Sequence, residues 1–225
     1  MIVSSAPLSP AWHWAGAVGA LLGVMWAVTR APWRSLQAPG LLNVWLGTVV
    51  VLSLIWQMRV QAETGLYLHF LGVTLLLLEV GPHLAALGIF AVLLVDAGNA
   101  AWQGDPVWSV LGVNGVLVGL LPVWLGWSWV RGVRRYAPRH LFVFIFANGF
   151  FGAGLTVVAS GVLAGGLLAI AGAYPFQWLV NTYWPYLGLL GFAEAWLTGM
   201  VVTLFVVYRP LWLRAYDEQG FFGGR

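Results

Sequence analysis

Residues 66–101, LYLHFLGVTLLLLEVGPHLAALGIFAVLLVDAGNAA, decide how often the chain can cross a membrane. The stretch is almost wholly apolar, and it exceeds the roughly 20 residues that one helical span requires. Gly81-Pro82 lies near its middle, and a Gly-Pro pair is a strong signal for the interruption of a helix. We therefore predict two short spans here, at about 66–80 and about 83–100, in preference to a single re-entrant hairpin.

Five further apolar runs lie on either side of this stretch, and each is long enough to cross the hydrocarbon layer as a helix. They lie at about 11–28, 41–58, 107–130, 140–173 and 184–208. Together the runs predict an all-α, polytopic integral membrane protein with about seven transmembrane helices. The chain, residues 1–225, is then one membrane domain, and residues 209–225 form its polar cytoplasmic tail.

Composition independently indicates a membrane protein. Of the 225 residues, 61% are hydrophobic and only 8% are charged, whereas a soluble domain needs a larger charged surface. The sequence has no cysteine, which excludes disulfides, thiolate metal sites and cysteine nucleophiles. It has no phosphate-binding loop and no HExxH motif, so we predict neither an enzyme nor a chain that hydrolyses ATP itself. Membrane topology explains the net charge of +3 better than nucleic-acid binding does.

All ten basic residues are arginine, and their distribution predicts how the spans are oriented. If every predicted segment crosses the membrane, Arg59 lies on one side and a group of arginines lies on the other. Cytoplasmic loops carry an excess of basic residues. We therefore expect the N-terminus to lie outside the cytoplasm and the C-terminus inside. The arginines on the cytoplasmic side are then Arg30, Arg34, Arg131, Arg134, Arg135, Arg139, Arg209 and Arg214.

Polar side chains within the predicted spans are candidates for a functional site, because such groups are costly at membrane depth. We expect Glu194 to face the bundle interior, paired with Asn114, Asn148 or an arginine. Each asparagine is followed by glycine, and we first interpret both as interhelical hydrogen-bond donors. Glu79 and Asp96 are the other intramembrane candidates, with Glu79 interpreted as a helix-end charge. The alternative for all of them is a purely structural bond between helices.

Two histidines are candidates for metal binding. His69 begins the third predicted span, and a neutral imidazole at the outer end of a span can ligate a transition metal. The alternative is an interfacial histidine that bonds a carbonyl. His13 lies in the first predicted span, and it could meet His69 if the N-terminal segment folds inward.

Small residues recur at every fourth position of the first predicted span. Such a ridge lets another helix approach closely. It predicts either internal packing or a docking surface for a second membrane protein. The residues of the ridge are Ala11, Ala15, Gly19, Gly23 and Ala27.

Several segments, in order along the chain, resemble the CbiM/NikM family of substrate-binding membrane subunits from energy-coupling factor (ECF) cobalt and nickel importers. They are His69-Phe-Leu-Gly-Val-Thr-Leu-Leu, Asn114-Gly, and Glu194-Ala-Trp-Leu-Thr-Gly-Met-Val-Val-Thr-Leu. The segments 139–152 and 207–212 resemble a divergent bacterial branch of that family. The resemblance implies a seven-helix fold like that of other substrate-binding (S) components, in the bacterial inner membrane, with an external N-terminus. It also implies as partners a transmembrane (T) component and ATPase subunits.

The resemblance also implies a metal site, which this sequence matches only in part. In the family the chain begins Met-His, and the terminal amine, the second residue and a third-span histidine hold the metal through nitrogen. Here Met1 and His69 match, but Ile2 replaces the histidine, and His13 is a poor substitute within a span. We therefore expect no permanently bound cofactor and a weak site for Ni²⁺ or Co²⁺ as substrate.

Two functions follow from these observations. The first is the S component of an ECF-type importer, which the His69 segment and the small-residue ridge favour. The second is an accessory or scaffold subunit of another membrane complex, which reuses the same fold without binding metal. Ile2 in place of histidine favours the second.

Overall fold

A computed structural model describes residues 2–3, 8–104 and 107–216 of the chain. Within these residues the helices account for most of the structure, and the predicted all-α, polytopic membrane fold is confirmed. There are seven helices in the described part: α1, Pro10–Arg30; α2, Leu41–Trp56; α3, Val73–Val80; α4, Pro82–Trp102; α5, Val107–Tyr136; α6, Leu141–Ile170; and α7, Phe176–Tyr208.

Five of these helices, α1, α4, α5, α6 and α7, are long and apolar enough to cross a membrane. Helix α2 is apolar but has 16 residues. Helix α3 has eight residues, and at about 1.5 Å per residue it covers less than half of a bilayer's hydrocarbon core. The protein is therefore a multi-pass membrane protein with one short helix inside the bundle.

The segment before α3 differs from the prediction of a helical span at 66–80. Three short strands, β1 (Ile2–Val3), β2 (Val60–Glu63) and β3 (Leu66–Leu68), form an antiparallel sheet in the order β1-β3-β2. The extended backbone at β3 is possible because the strands on both sides supply its hydrogen-bond partners. An extended chain rises about 3.3 Å per residue, so a few residues cover the depth that a full helix would otherwise need.

Two glycines set the ends of α3. Gly72 precedes the helix with φ of 67°, and Gly81 follows it with φ of 82° and ψ of 175°. Both values lie where a side chain is disfavoured. Pro82 then begins α4 at once, as suits the first position of a helix. The predicted break at Gly81-Pro82 is confirmed.

Helix α3 lies at the centre of the bundle. Its residues from Leu76 to Val80 are at most 1% exposed, and α2, α4, α5, α6 and α7 all contact it. The core cluster also includes Ile2, Val3 and Leu66 of the small sheet. By contrast, α1 presents Trp14, Leu21 and Leu22 outward, each more than half exposed, as suits a lipid-facing surface.

The two ends of the bundle differ in character. At one end lies the sheet, together with the Arg59–Asp96 ion pair; we call this the strand end. At the other end Arg214 donates from Nη1 to the Ser35 hydroxyl at 3.4 Å and from its backbone N–H to the Glu79 carbonyl at 3.1 Å. This second end, formed by residues 30–37, 79–83, 131–141 and 209–216, is the arginine-rich end.

Candidate functional site

His69 directly follows β3 and is 2% exposed. Its Nδ1 lies 2.7 Å from the carbonyl oxygen of Phe70. Because a carbonyl oxygen only accepts, Nδ1 is the donor in this hydrogen bond. The ring packs 4.3 Å from the ring of Trp56, which is fully buried. This carbonyl bond is the one that the structural alternative predicts for His69. The same kind of bond also orients histidines that ligate a metal.

The N-terminal strand lies against the segment that leads to His69. Ile2 pairs with Tyr67, and Val3 pairs with Leu66. Asn114 fixes this strand from α5: its Oδ1 accepts from the Val3 N–H at 2.9 Å, and its Nδ2 donates to the Val3 carbonyl at 2.7 Å. The interpretation of Asn114 as a hydrogen-bond donor between helices is therefore wrong. Its partner is β1, whose Val3 N–H and C=O both bond to Asn114. Met1 lies outside the described residues.

Glu194 holds the backbone on the other side of His69. It is 2% exposed, and its carboxylate accepts from the N–H groups of Leu71 at 2.9 Å and Gly72 at 2.6 Å. The expected interior position is correct, but the expected partner is not. The first N–H groups of a helix lack intrahelical acceptors, and a carboxylate at that end satisfies them and suits the helix dipole. Glu194 thus positions the turn between His69 and α3.

An apolar cavity of about 430 Å³ lies next to this turn, between α2 and α7. Phe70, Gly72 and Glu194 lie on its wall. Among the described residues, no three His, Asp or Glu side chains lie close enough together to hold a metal ion. A metal ion at His69 would therefore need main-chain or N-terminal nitrogen as its further ligands.

His13 and Asp96 bind other partners. The Nδ1 of His13 lies 2.7 Å from the Ser109 carbonyl, and no hydrogen bond or ring contact between described residues joins His13 to His69. Asp96 accepts from Arg59, with Nη1 3.2 Å from each carboxylate oxygen. Both side chains lie at the strand end and tie neighbouring segments together.

Glu79 and Asn148 are buried and incompletely bonded. Glu79 is fully buried in α3; its Oε1 accepts from the Thr48 hydroxyl at 2.9 Å, and its Oε2 has no hydrogen-bond partner among the described residues. Glu79 is the second-last residue of α3, as the interpretation of a helix-end charge requires. The side chain is nevertheless buried inside the bundle, so it is not an exposed charge at the helix end. The Oδ1 of Asn148, which is 5% exposed, also lacks a partner in the described part.

The small-residue ridge of α1 is divided between two environments. A side chain at Gly19 would come within 3.0 Å of Val116, and one at Gly23 would overlap Leu120. Ala27 is fully buried, whereas Ala11 and Ala15 are exposed. The inner part of the ridge therefore packs against α5, in agreement with the first of the two alternatives, and docking of a second membrane protein stays a prediction for the exposed part.

Several residues of the site were not recognised from the sequence. Trp56 and Thr48 of α2 lie among many other apolar span residues, and nothing in their spacing distinguishes them. The hairpin between β2 and β3 did carry a signal, because Thr64-Gly65 separates two short runs with strand-forming residues. Gly65 has φ of 76°, as such a turn requires.

The fold is shared with solved structures of membrane transporters. One, described as a truncated transition metal transporter, is 19% identical, with a TM-score of 0.72, and the match covers 92% of this chain and 99% of that one. Another, described as a transition metal transporter, is also 19% identical, with a TM-score of 0.71 and coverage of 92% and 93%. At this identity the likeness establishes the fold.

A search of curated proteins found no match for the sequence. The model of the CbiM family, described as the cobalt uptake substrate-specific transmembrane region, matches residues 3–212. This match covers most of the chain, from the buried N-terminal strand to the end of the bundle. The chain therefore belongs to the CbiM family.

Proposed function

We propose that the chain is the substrate-binding S component of an ECF-type importer for a divalent transition metal ion, Co²⁺ or Ni²⁺. The observation that carries the proposal is His69, a buried imidazole whose Nδ1–H is held by the Phe70 carbonyl. The N-terminal strand lies beside the segment that leads to it. Membership of a cobalt-uptake family supports the same class of substrate.

The proposed ligands are all nitrogen donors. The two that the sequence secures are Nε2 of His69 and the terminal amine of Met1, and the main-chain amide of Ile2 would join them only by giving up its strand pairing with Tyr67. Such a set suits the square-planar geometry that Ni²⁺ favours. Ile2 contributes no imidazole, so the site has one donor fewer than a chain with histidine there. We therefore expect weak binding and no permanently bound metal.

We further propose that the N-terminus lies outside the cytoplasm and the C-terminus inside, in the inner membrane of a bacterium. The convergence of arginines at one end of the bundle supports this orientation, because basic residues concentrate on the cytoplasmic side. A reporter fused after Arg225 should then be active only in the cytoplasm. A reporter inserted at Gly172, between α6 and α7, should be active only outside, and the reverse pattern would contradict the proposal.

The importer proposal requires partners. The sequence has no phosphate-binding loop, so ATP hydrolysis falls to separate ATPase subunits acting through a transmembrane T component. The alternative is an accessory subunit of a different membrane complex. Two observations favour that alternative: Ile2 at the second position, and the lack of a cluster of three ligating side chains in the described part of the chain.

Purification from native membranes, followed by identification of the bound proteins, separates the two functions. Recovery of a T component and ATPase subunits supports the importer, and recovery of a different complex supports the accessory role. Uptake of radioactive nickel or cobalt by cells that express the chain with its partners gives a second test. His69→Ala should abolish this uptake, whereas His140→Asn, a change at the exposed start of α6 that keeps an N-cap acceptor, should not.

A further inference from the structure

A cavity of about 640 Å³ opens at the arginine-rich end, between the C-terminal part of α5, the start of α6 and the residues after α7. Five arginines from three segments lie on its wall. Three come from the last turns of α5, one from the loop before α6 and one from the segment after α7. They are Arg131, Arg134, Arg135, Arg139 and Arg214.

These arginines have no carboxylate to compensate their charge within the described residues. Among the described residues, Arg59 and Asp96 form an ion pair, and that pair lies at the strand end. Among residues 2–3, 8–104 and 107–216, no Asp or Glu lines the cavity. A concave surface lined by charges of one sign concentrates counter-ions. The guanidinium fork matches the geometry of phosphate, and of carboxylate, through two parallel hydrogen bonds.

Apolar residues and one buried polar residue also line the cavity. Leu77, Trp127, Val130 and Phe144 supply the hydrocarbon surface. Asn148 lines the same cavity; it is 5% exposed, and its Oδ1 has no hydrogen-bond partner among the described residues. Buried acceptors are normally satisfied, so this oxygen has the capacity to accept one further hydrogen bond, for which a hydroxyl is a suitable donor.

We infer that this cavity binds a hydroxyl-bearing phosphate ester, with the phosphate held by the arginines and the hydroxyl donated to Asn148 Oδ1. Two sources supply this chemistry. One is the glycerol headgroup of an anionic phospholipid in the membrane, whose acyl chains would lie along the apolar residues of the cavity. The other is a soluble phosphate ester. The inference does not depend on metal binding at His69, because the cavity lies at the opposite end of the bundle.

The test is lipid binding by the purified full-length chain in neutral detergent, measured by native mass spectrometry. Dioleoylphosphatidylglycerol should bind more tightly than dioleoylphosphatidylcholine, which carries no net charge. The double variant Arg134→Gln/Arg135→Gln should weaken the binding of phosphatidylglycerol by at least about tenfold, as expected for the loss of charge-assisted hydrogen bonds. Arg209→Gln is the matched control, because Arg209 lies at the same end but outside the cavity and should change binding less than about twofold.

Asn148→Leu tests the hydroxyl contact separately. Wild type should prefer phosphatidylglycerol to dioleoylphosphatidylmethanol, which is equally charged but has no hydroxyl, and the variant should lose that preference. Thermal unfolding of each variant verifies that it is folded before binding is compared. Displacement of the lipid by glycerol 3-phosphate at lower concentration would assign the site to a soluble ester instead of a lipid.

Asp217 and Glu218 follow the last described residue and are the chain's own competing carboxylates. The variant Asp217→Asn/Glu218→Gln should bind phosphatidylglycerol as wild type does. The inference is overturned if only this variant binds, because the arginines of the wild-type chain would then be paired with Asp217 and Glu218 and not with a phosphate. It is also overturned if charged and uncharged lipids bind equally and glycerol 3-phosphate does not bind, or if Arg209→Gln weakens binding as much as the double variant.

Discussion

The strand end and the arginine-rich end solve the same problem, polar groups at the edge of an apolar bundle, in opposite ways. At the strand end Arg59 is bonded to Asp96, and Asn99 donates to Gln57 at 2.5 Å. Just below, Glu194 and Asn114 satisfy the main chain around His69. At the arginine-rich end five arginines share a cavity without a carboxylate among the described residues. Polar groups at the strand end hold the fold together, whereas we propose that those at the arginine-rich end bind a phosphate ester.

If this contrast is correct, removal of Glu194 has the largest effect on stability. Glu194→Leu leaves the N–H groups of Leu71 and Gly72 buried without acceptors, at about 1–3 kcal/mol for each group. Glu194→Gln retains one acceptor and should be tolerated much better. Thermal unfolding in detergent, followed by tryptophan fluorescence, measures the difference. Glu63→Gln is the control because Glu63 is exposed; a harmless Glu194→Leu would contradict the assignment.

The next largest effect is expected for Arg59. Its side chain is 12% exposed and that of Asp96 is 4% exposed, so Arg59→Gln leaves a largely buried carboxylate unpaired. Breaking such a pair costs about 3 kcal/mol of the free energy of unfolding. The double variant Arg59→Gln/Asp96→Asn should recover most of this loss, because no isolated charge remains. If Arg59→Gln and the double variant unfold with the same free energy, the loss does not come from an unpaired Asp96 carboxylate, and the assignment is contradicted.

A smaller effect is expected for Asn114. Asn114→Ala removes two hydrogen bonds to Val3, each worth about 1 kcal/mol net. The clearest sign should be local: hydrogen exchange at the Val3 amide should accelerate, because β1 is released from α5. Asn99→Ala is the comparison variant and should leave that exchange unchanged. Unchanged protection at Val3 in Asn114→Ala would mean that the sheet alone holds the strand.

The smallest effect on stability is expected at the arginine-rich end. Arg134→Gln/Arg135→Gln should alter the free energy of unfolding by no more than about 0.5 kcal/mol, as is usual for exposed surface changes. The measurement is the same thermal unfolding used for the strand end. A loss larger than that of Asn114→Ala would show that these arginines are structural, and the contrast between the ends would fail.

The sequence predicted the membrane class and the break between α3 and α4 because each rests on local composition. Gly81-Pro82 interrupts the helix through backbone conformations that any context must respect. The extended segment before α3 was missed because an apolar run of this kind suits a helix equally well by composition. Its conformation depends on β1, which lies more than 60 residues away in the chain.

The partners of the candidate site were less predictable than its residues. Glu194 and Asn114 are conspicuous in the sequence as polar residues within apolar runs. However, their bonds reach Leu71, Gly72 and Val3 across sequence separations of 111 to 123 residues. Every residue carries main-chain groups, so the sequence does not show which of them a polar side chain will bond. The predicted partners of Glu194 and Asn114 were therefore other side chains or helices. The same limit hid the five-arginine cavity, which exists only once three segments meet.

The most direct test of the central claim, that His69 is the histidine of a metal site weakened by Ile2, is titration of the purified protein with Ni²⁺ and Co²⁺. Wild type should bind weakly. Ile2→His should bind far more tightly, by more than the about 10–100-fold that changes to outer-shell partners produce. His69→Ala in the Ile2→His background should abolish that gain. If no variant binds, or if wild type binds tightly whether or not His69 is present, the account of this site is wrong.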